Sequence, residues 1–158
     1  SGNNLGQYGK INAIPGMDDM YLVSGTEMGV TVINGNGEAQ YEIPLNLITM
    51  RALDPQIFEY NGGVYLSYTI NRKDAQSNTP SAHYEILNIT EGADAVEGLK
   101  NLTVSNLEEK RVYQKDYSND QRVLTINADT EVVFDGNGDP VIMSYNVSDG
   151  FIVERFTK

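Results

Sequence analysis

The sequence has no cysteine, no tryptophan and a single histidine, His83. Without cysteine, the chain can form no disulfide, no thiolate metal site and no cysteine nucleophile. With one histidine, it cannot assemble the several imidazoles of a histidine-rich zinc site. These absences exclude cysteine chemistry and argue against zinc catalysis.

Basic residues and long apolar runs are also scarce. Lysine and arginine total 11 against 22 acidic residues, so the formal net charge is −11 at neutral pH. Nucleic acids and anionic membrane surfaces both attract cationic proteins, so we expect neither as a partner. The sequence contains no apolar run of about 18 residues, the length that spans a bilayer, so we expect no membrane insertion.

The length and composition are those of one globular domain. The chain has 158 residues, of which 40% are hydrophobic and 21% are charged. A chain of this size can bury a single core, and it is too apolar to be disordered. We therefore treat residues 1–158 as one domain.

Alternation of side chains with a period of two predicts strands. In residues 64–70 one face carries Val64, Leu66, Tyr68 and Ile70, and residues 141–146 alternate in the same way. Asparagine and glycine cluster at 34–37 and 61–63, and aspartate joins them at 135–140, which is typical of tight hairpin turns. The sequence therefore predicts an all-β fold of antiparallel meanders.

One stretch departs from this pattern. Between Thr90 and Leu102, Ala93, Val96 and Leu99 recur at a spacing of three, which predicts one short helix. Two glycines in the stretch favour a polar loop as the alternative.

Similar units of strand, turn and strand occur near residues 11–45, 56–90 and 122–157. Repeated meanders with a turn at each step are typical of β-propeller blades. We therefore predict β-propeller-like blades, with a partial propeller left open. A β-sandwich built from similar hairpins is the alternative.

Residues 51–69, RALDPQIFEYNGGVYLSYT, resemble a blade of the five-bladed propeller glycoside hydrolases, in which an Asp-Pro precedes a strand, a turn and a tyrosine-rich strand. Residues 139–145, DPVIMSY, resemble blades of sialidase-like repeat proteins. The first resemblance implies that Asp54 would tune the catalytic acid and help to hold a sugar. It also favours a secreted, periplasmic or cell-surface bacterial protein, in keeping with the acidic, asparagine-rich composition.

The residues argue against catalysis. Glycosidases need separate acid and base carboxylates, which those hydrolases place on different blades, and this chain is too short to close five blades. We therefore predict a non-catalytic binding or scaffold module, with a glycan or another protein chain as its partner. The alternatives are a remnant of a propeller glycoside hydrolase and a protein-interaction domain.

Two groups of residues are candidates for ligand contacts. Binding of a ligand is predicted for residues in or beside the Asp-Pro unit and the polar loop at 71–81, which are Arg51, Asp54, Tyr65, Asp74 and His83. Asp135, Asn137 and Asp139 have the D-x-N-x-D spacing that places oxygen ligands around calcium, and a hairpin turn is the alternative. No other cofactor is expected.

The basic residues Lys110, Arg111 and Lys115 are interrupted by acidic Asp116 and Asp120. Mixed charge of this kind is typical of an exposed surface. We therefore predict a solvated strand face there.

Overall fold

The computed structural model describes residues 10–25, 29–43, 50–73, 80–90, 95–103, 105–116, 130–146 and 150–156. These ranges form strands and two short helices. The elements in chain order are β1 (Lys10–Ala13), β2 (Met20–Gly25), β3 (Gly29–Asn34), β4 (Ala39–Glu42), β5 (Met50–Tyr60), β6 (Gly63–Lys73), β7 (Pro80–Asn88), α1 (Ala95–Lys100), α2 (Leu107–Lys110), β8 (Arg111–Asp116), β9 (Thr130–Phe134), β10 (Pro140–Asn146) and β11 (Gly150–Arg155). The prediction of an all-β fold is confirmed.

The strands form three antiparallel sheets, each made of consecutive strands. Sheet A has the order β1-β2-β3-β4, sheet B the order β5-β6-β7-β8 and sheet C the order β9-β10-β11. Each of the three similar units noted in the sequence overlaps one sheet, and sheet B extends beyond its unit at both ends. None of the three sheets closes on itself.

Tight turns connect the strands where the Asn-Gly signals lie. Between β5 and β6, Asn61 and Gly62 have φ angles of 48° and 76°. A left-handed backbone conformation of this kind costs little free energy only for glycine and for a few residues such as asparagine. The turn chemistry read from the sequence is therefore confirmed at this hairpin.

Strands β5, β6 and β7 of sheet B carry buried side chains on both faces. One face contributes Ile57, Leu66, Tyr68 and Leu87 to a core shared with Leu22, Val30 and Val32 of sheet A. The other face contributes Phe58, Tyr65, Tyr84 and Ile86 to a second core shared with Val132, Ile142 and Phe156. Sheet B therefore lies between sheets A and C.

The two short helices lie between β7 and β8 and extend the first core. Helix α1 falls within the stretch for which the spacing of three predicts a helix, and it buries Ala95, Val96 and Leu99. Gly98 of this helix packs so closely on Ile89 that a β-carbon would collide with the Ile89 carbonyl oxygen. In the described part of the chain, no helix is long and apolar enough to cross a membrane.

Side-chain amides join the first strands of the three sheets. Asn12 of β1 donates from Nδ2 to the Pro55 carbonyl of β5 at 2.8 Å. Gln56 of β5 donates from Nε2 to the Val132 carbonyl of β9 at 2.7 Å, and its Oε1 accepts from the Val132 N–H at 3.1 Å. Gln56 thus pairs with β9 as a neighbouring strand would.

A buried carboxylate links three neighbouring strands of sheet B. Glu85 of β7 is fully buried, accepts a hydrogen bond from the Tyr68 hydroxyl at 3.0 Å and pairs with Arg111 of β8 at 3.2 Å. The Arg111 side chain is only 18% exposed. A buried carboxylate such as Glu85 needs a charged partner, and Arg111 supplies it. The prediction of a solvated face is therefore wrong for Arg111 and also for Lys115, whose side chain is only 20% exposed.

Replacement of Gly98 by alanine should destabilise the protein. Alanine gains about 1 kcal/mol of helix propensity, but relieving the clash should cost about 3 kcal/mol, because the atom that must move is the backbone carbonyl oxygen of Ile89. Urea unfolding should show a lower midpoint for Gly98→Ala. The control Gly136→Ala adds its β-carbon to open space and should leave the midpoint unchanged. A Gly98→Ala variant as stable as the control would contradict the close approach.

Replacement of Gln56 by leucine should lower the free energy of unfolding by about 2 kcal/mol, since it leaves the N–H and the carbonyl of Val132 without their partner. Gln40→Leu is the matched control, because the exposed Gln40 amide donates to the Glu38 carbonyl two residues away and joins no two sheets in the described part of the chain. Equal urea midpoints for the two variants would mean that Gln56 does not hold β9 in place.

Candidate functional site

Apart from Tyr65 of β6, which is described below, three of the predicted ligand residues lie on sheet B. Arg51 and Asp54 belong to β5, and His83 belongs to β7, on the opposite side of the intervening strand β6. Asp74 lies outside the described residues. A ligand role for these four residues stays a prediction.

Asp54 occupies an irregular position in its strand. The pairing of β5 with β6 shifts between Leu53 and Gln56, so that Asp54 and Pro55 together stand opposite Tyr68. A bulge of this kind accommodates a proline that cannot donate to the sheet, and bulges are enriched next to functional sites. The Asp-Pro pair noted in the sequence therefore marks a local bend of β5.

Tyr65 lies in the second core. Its side chain is fully buried, its ring stacks on Phe58 at 5.4 Å between centroids, and Phe156 meets it edge-on at 5.1 Å. Its ring therefore offers no exposed face on which a sugar could stack. The structure places Tyr65 in the contact between sheets B and C.

The residues of the predicted calcium site form the hairpin turn between β9 and β10. Oδ1 of Asp135 accepts hydrogen bonds from the N–H groups of Asn137 at 2.9 Å and Asp139 at 3.0 Å, and Oδ2 accepts from Arg155 at 3.0 Å. The hydrogen bond from Arg155, followed by those from the backbone, holds the pKa of Asp135 below its usual range.

The same turn occurs between β3 and β4, where Oδ1 of Asn34 accepts from the N–H groups of Asn36 and Glu38. The turn therefore forms around an uncharged amide as well as around a carboxylate. Among the described residues there is no group of three histidine or acidic residues that could hold a metal. Calcium binding at Asp135, Asn137 and Asp139 stays a prediction.

Polar contacts between sheets B and C were not foreseen from the sequence. The Tyr113 hydroxyl donates to Glu154 Oε2 at 2.7 Å, and Lys115 donates to the Ser144 hydroxyl at 2.8 Å and lies 3.6 Å from Glu154 Oε1. Nearby, burial raises the pKa of the Tyr84 phenol above its usual range. These contacts fix the position of sheet C on sheet B.

The far side of sheet C, which we call the outer face, carries mostly apolar side chains, with charged Glu131 opposite Met143 and charged Arg155 opposite Val141. The strand register places Tyr145 beside Phe151, Met143 beside Val153 and Val141 beside Val133. Phe151 is 75% exposed, Val153 61% and Tyr145 46%, and the rings of Tyr145 and Phe151 are 5.1 Å apart. Contiguous exposed apolar side chains are typical of an interaction surface.

The sequence did carry a signal for this face. Phe151, Ile152 and Val153 of β11 are apolar in succession. A strand without polar alternation is typical of a sheet that is covered on both sides. In the described part of the chain, the outer face is the strongest candidate for a functional surface.

Comparison with a solved structure supports the fold. A crystal structure of a DUF4623 family protein from Bacteroides eggerthii is similar, with a TM-score of 0.55 and 20% sequence identity. The similarity covers 92% of this chain and 32% of that protein, so the chain spans about a third of the length of that neighbour. At this identity the likeness shows the fold alone.

Comparisons by sequence identify the family. A search of curated proteins gives no match. The comparisons show no propeller or glycoside hydrolase repeat family, so they do not support the resemblance of residues 51–69 to such a family. The family model described as a domain of unknown function, DUF4623, matches residues 1–157. The chain therefore belongs to the DUF4623 family.

Proposed function

We propose that the chain is a non-catalytic scaffold and binding module, made of consecutive blades in a propeller-like stack. One observation carries the proposal: sheet B is covered on one face by the sheet that precedes it and on the other by the sheet that follows it. Packing in chain order is the arrangement that propeller blades adopt. In a sandwich of two sheets, by contrast, each sheet buries only one face.

The contacts between first strands support the same arrangement. Asn12 links β1 to β5, and Gln56 links β5 to β9. In a propeller the blades surround a central channel, so equivalent strands of adjacent blades approach one another. The amides therefore join equivalent strands of three successive sheets.

The length of the solved relative agrees with this proposal. About two thirds of that protein lies outside the similar region. Propellers usually contain four to eight blades. Three sheets would then be one arc of the ring, and the remainder of a longer protein would supply the other blades.

Two paired carboxylates, Glu85 and Glu154, hold strands and sheets together. Glu85 is held by Tyr68 and Arg111, and Glu154 by Tyr113 and Lys115. A glycosidase instead needs two carboxyl groups that face a substrate across an open space. The roles of Glu85 and Glu154 therefore favour a scaffold over a hydrolase.

A glycan is the ligand class that the resemblance of residues 51–69 favours. The bulge at Asp54 and Pro55 lies on β5, the first strand of the central sheet, which a propeller would place near its channel. Sugar binding at this end of sheet B is therefore the more specific part of the proposal.

A thermal melt against a panel of oligosaccharides tests sugar binding. A ligand that binds only the native state raises stability by about 2.7 kcal/mol at a hundredfold excess over its dissociation constant. We expect one glycan to raise the melting temperature of the wild type and of the control Asp18→Asn, but not of Asp54→Asn. Parallel melts with calcium and with a chelator test the Asp135 turn. If no sugar shifts the midpoint, the glycan part of the proposal is wrong.

The absence of catalysis is tested separately with a panel of aryl glycosides. We expect the wild-type protein to release no more aryl alcohol than buffer, because the proposal assigns it no acid and base pair. Hydrolysis by the wild type that Asp54→Asn abolishes would overturn the proposal in favour of a glycoside hydrolase remnant.

A further inference from the structure

The outer face of sheet C is built like a surface that another sheet covers. Phe151 and Val153 of β11 are exposed beside Tyr145 and Met143 of β10, and charged Glu131 of β9 borders this stripe opposite Met143. Single exposed apolar residues are common, but a contiguous stripe on one sheet face is not. The stripe therefore needs an occupant.

The packing of sheet B shows what kind of occupant fits. The face of sheet B that meets sheet C presents large apolar side chains, Phe58, Tyr65 and Tyr84, and sheet C covers them. The outer face repeats this chemistry one sheet further along the stack, with two aromatic rings and several aliphatic side chains. The outer face of sheet C thus resembles the face of sheet B that sheet C covers.

We propose that the outer face is the docking surface of a fourth antiparallel sheet, contributed by the same polypeptide in a longer protein. This inference rests on the proposed function, because it extends the stack by one blade. The solved relative has about two thirds of its length outside the similar region, which is enough chain for further sheets. A sheet on the same polypeptide also docks at a high effective concentration.

Charge disfavours a second copy of the chain as the occupant. Each copy has a net charge of −11, and pairing two outer faces would bring these charges together. A fourth sheet within one polypeptide does not require two copies of this segment to approach. The test must nevertheless distinguish the two occupants.

Thiol labelling gives a direct test, since the chain has no cysteine of its own. The reporter is Phe151→Cys, with Val153→Cys as a second reporter on the same face. Each variant is prepared in the 158-residue chain and in the protein made from the complete open reading frame that encodes it. The measurement is the rate of reaction with a maleimide, together with the mass in solution.

Two control positions give the labelling rates of an exposed and of a buried cysteine. Asn36→Cys lies in the exposed turn between β3 and β4 and should react rapidly in both proteins. Ile142→Cys lies in the core between sheets B and C and should react slowly in both. Rapid reaction at position 142 would show that the stack itself is wrong, which is a failure of the proposed function.

If both controls react as expected, the labelling rates at positions 151 and 153 test the inference. We expect both reporters to react rapidly in the 158-residue chain and at least about tenfold more slowly in the complete protein, because burial limits reaction to local opening. Equal rates in the two proteins would overturn the inference. Slow reaction in the 158-residue chain, with a dimeric mass, would overturn it in favour of a second copy.

Discussion

The central constraint on this fold is that sheet B must be covered on both faces. Its strand β6 buries Tyr65, Leu66, Ser67, Tyr68 and Thr69 in succession, so neither face can be left in water. Fully burying a large apolar side chain stabilises a protein by about 2 kcal/mol. Sheets A and C each supply one cover, and the order of the sheets in the chain becomes their order in space.

Polar contacts between the sheets stabilise this stack. Gln56 satisfies the backbone of Val132 on β9, and Lys115 and Tyr113 of sheet B hold Ser144 and Glu154 of sheet C. Buried polar groups cost free energy unless they are paired, so these bonds restrict how sheet C can sit on sheet B. They join the sheets, and for this reason we propose a scaffold rather than a catalyst.

Much of the secondary structure could be predicted from local signals. The Asn61-Gly62 turn and helix α1 follow from residue preferences that act within a few positions. The tertiary arrangement could not be predicted in this way. Alternation in β6 indicates a half-buried strand, yet the face with Tyr65 and Thr69 is as buried as the other, because sheet C, remote in sequence, covers it. The pairing of Arg111 with Glu85 could not be predicted either, because the two residues lie on strands that are far apart in the sequence.

The order of the stack is tested most directly by native-state hydrogen exchange. Amides exchange slowly where opening must disrupt buried contacts, so exchange should be slowest in β6 and β7, at the centre of sheet B. Exchange should be faster in β11, at the edge of the outermost sheet. This gradient would support a central sheet covered on both sides. Exchange in β6 as fast as in β11 would contradict it.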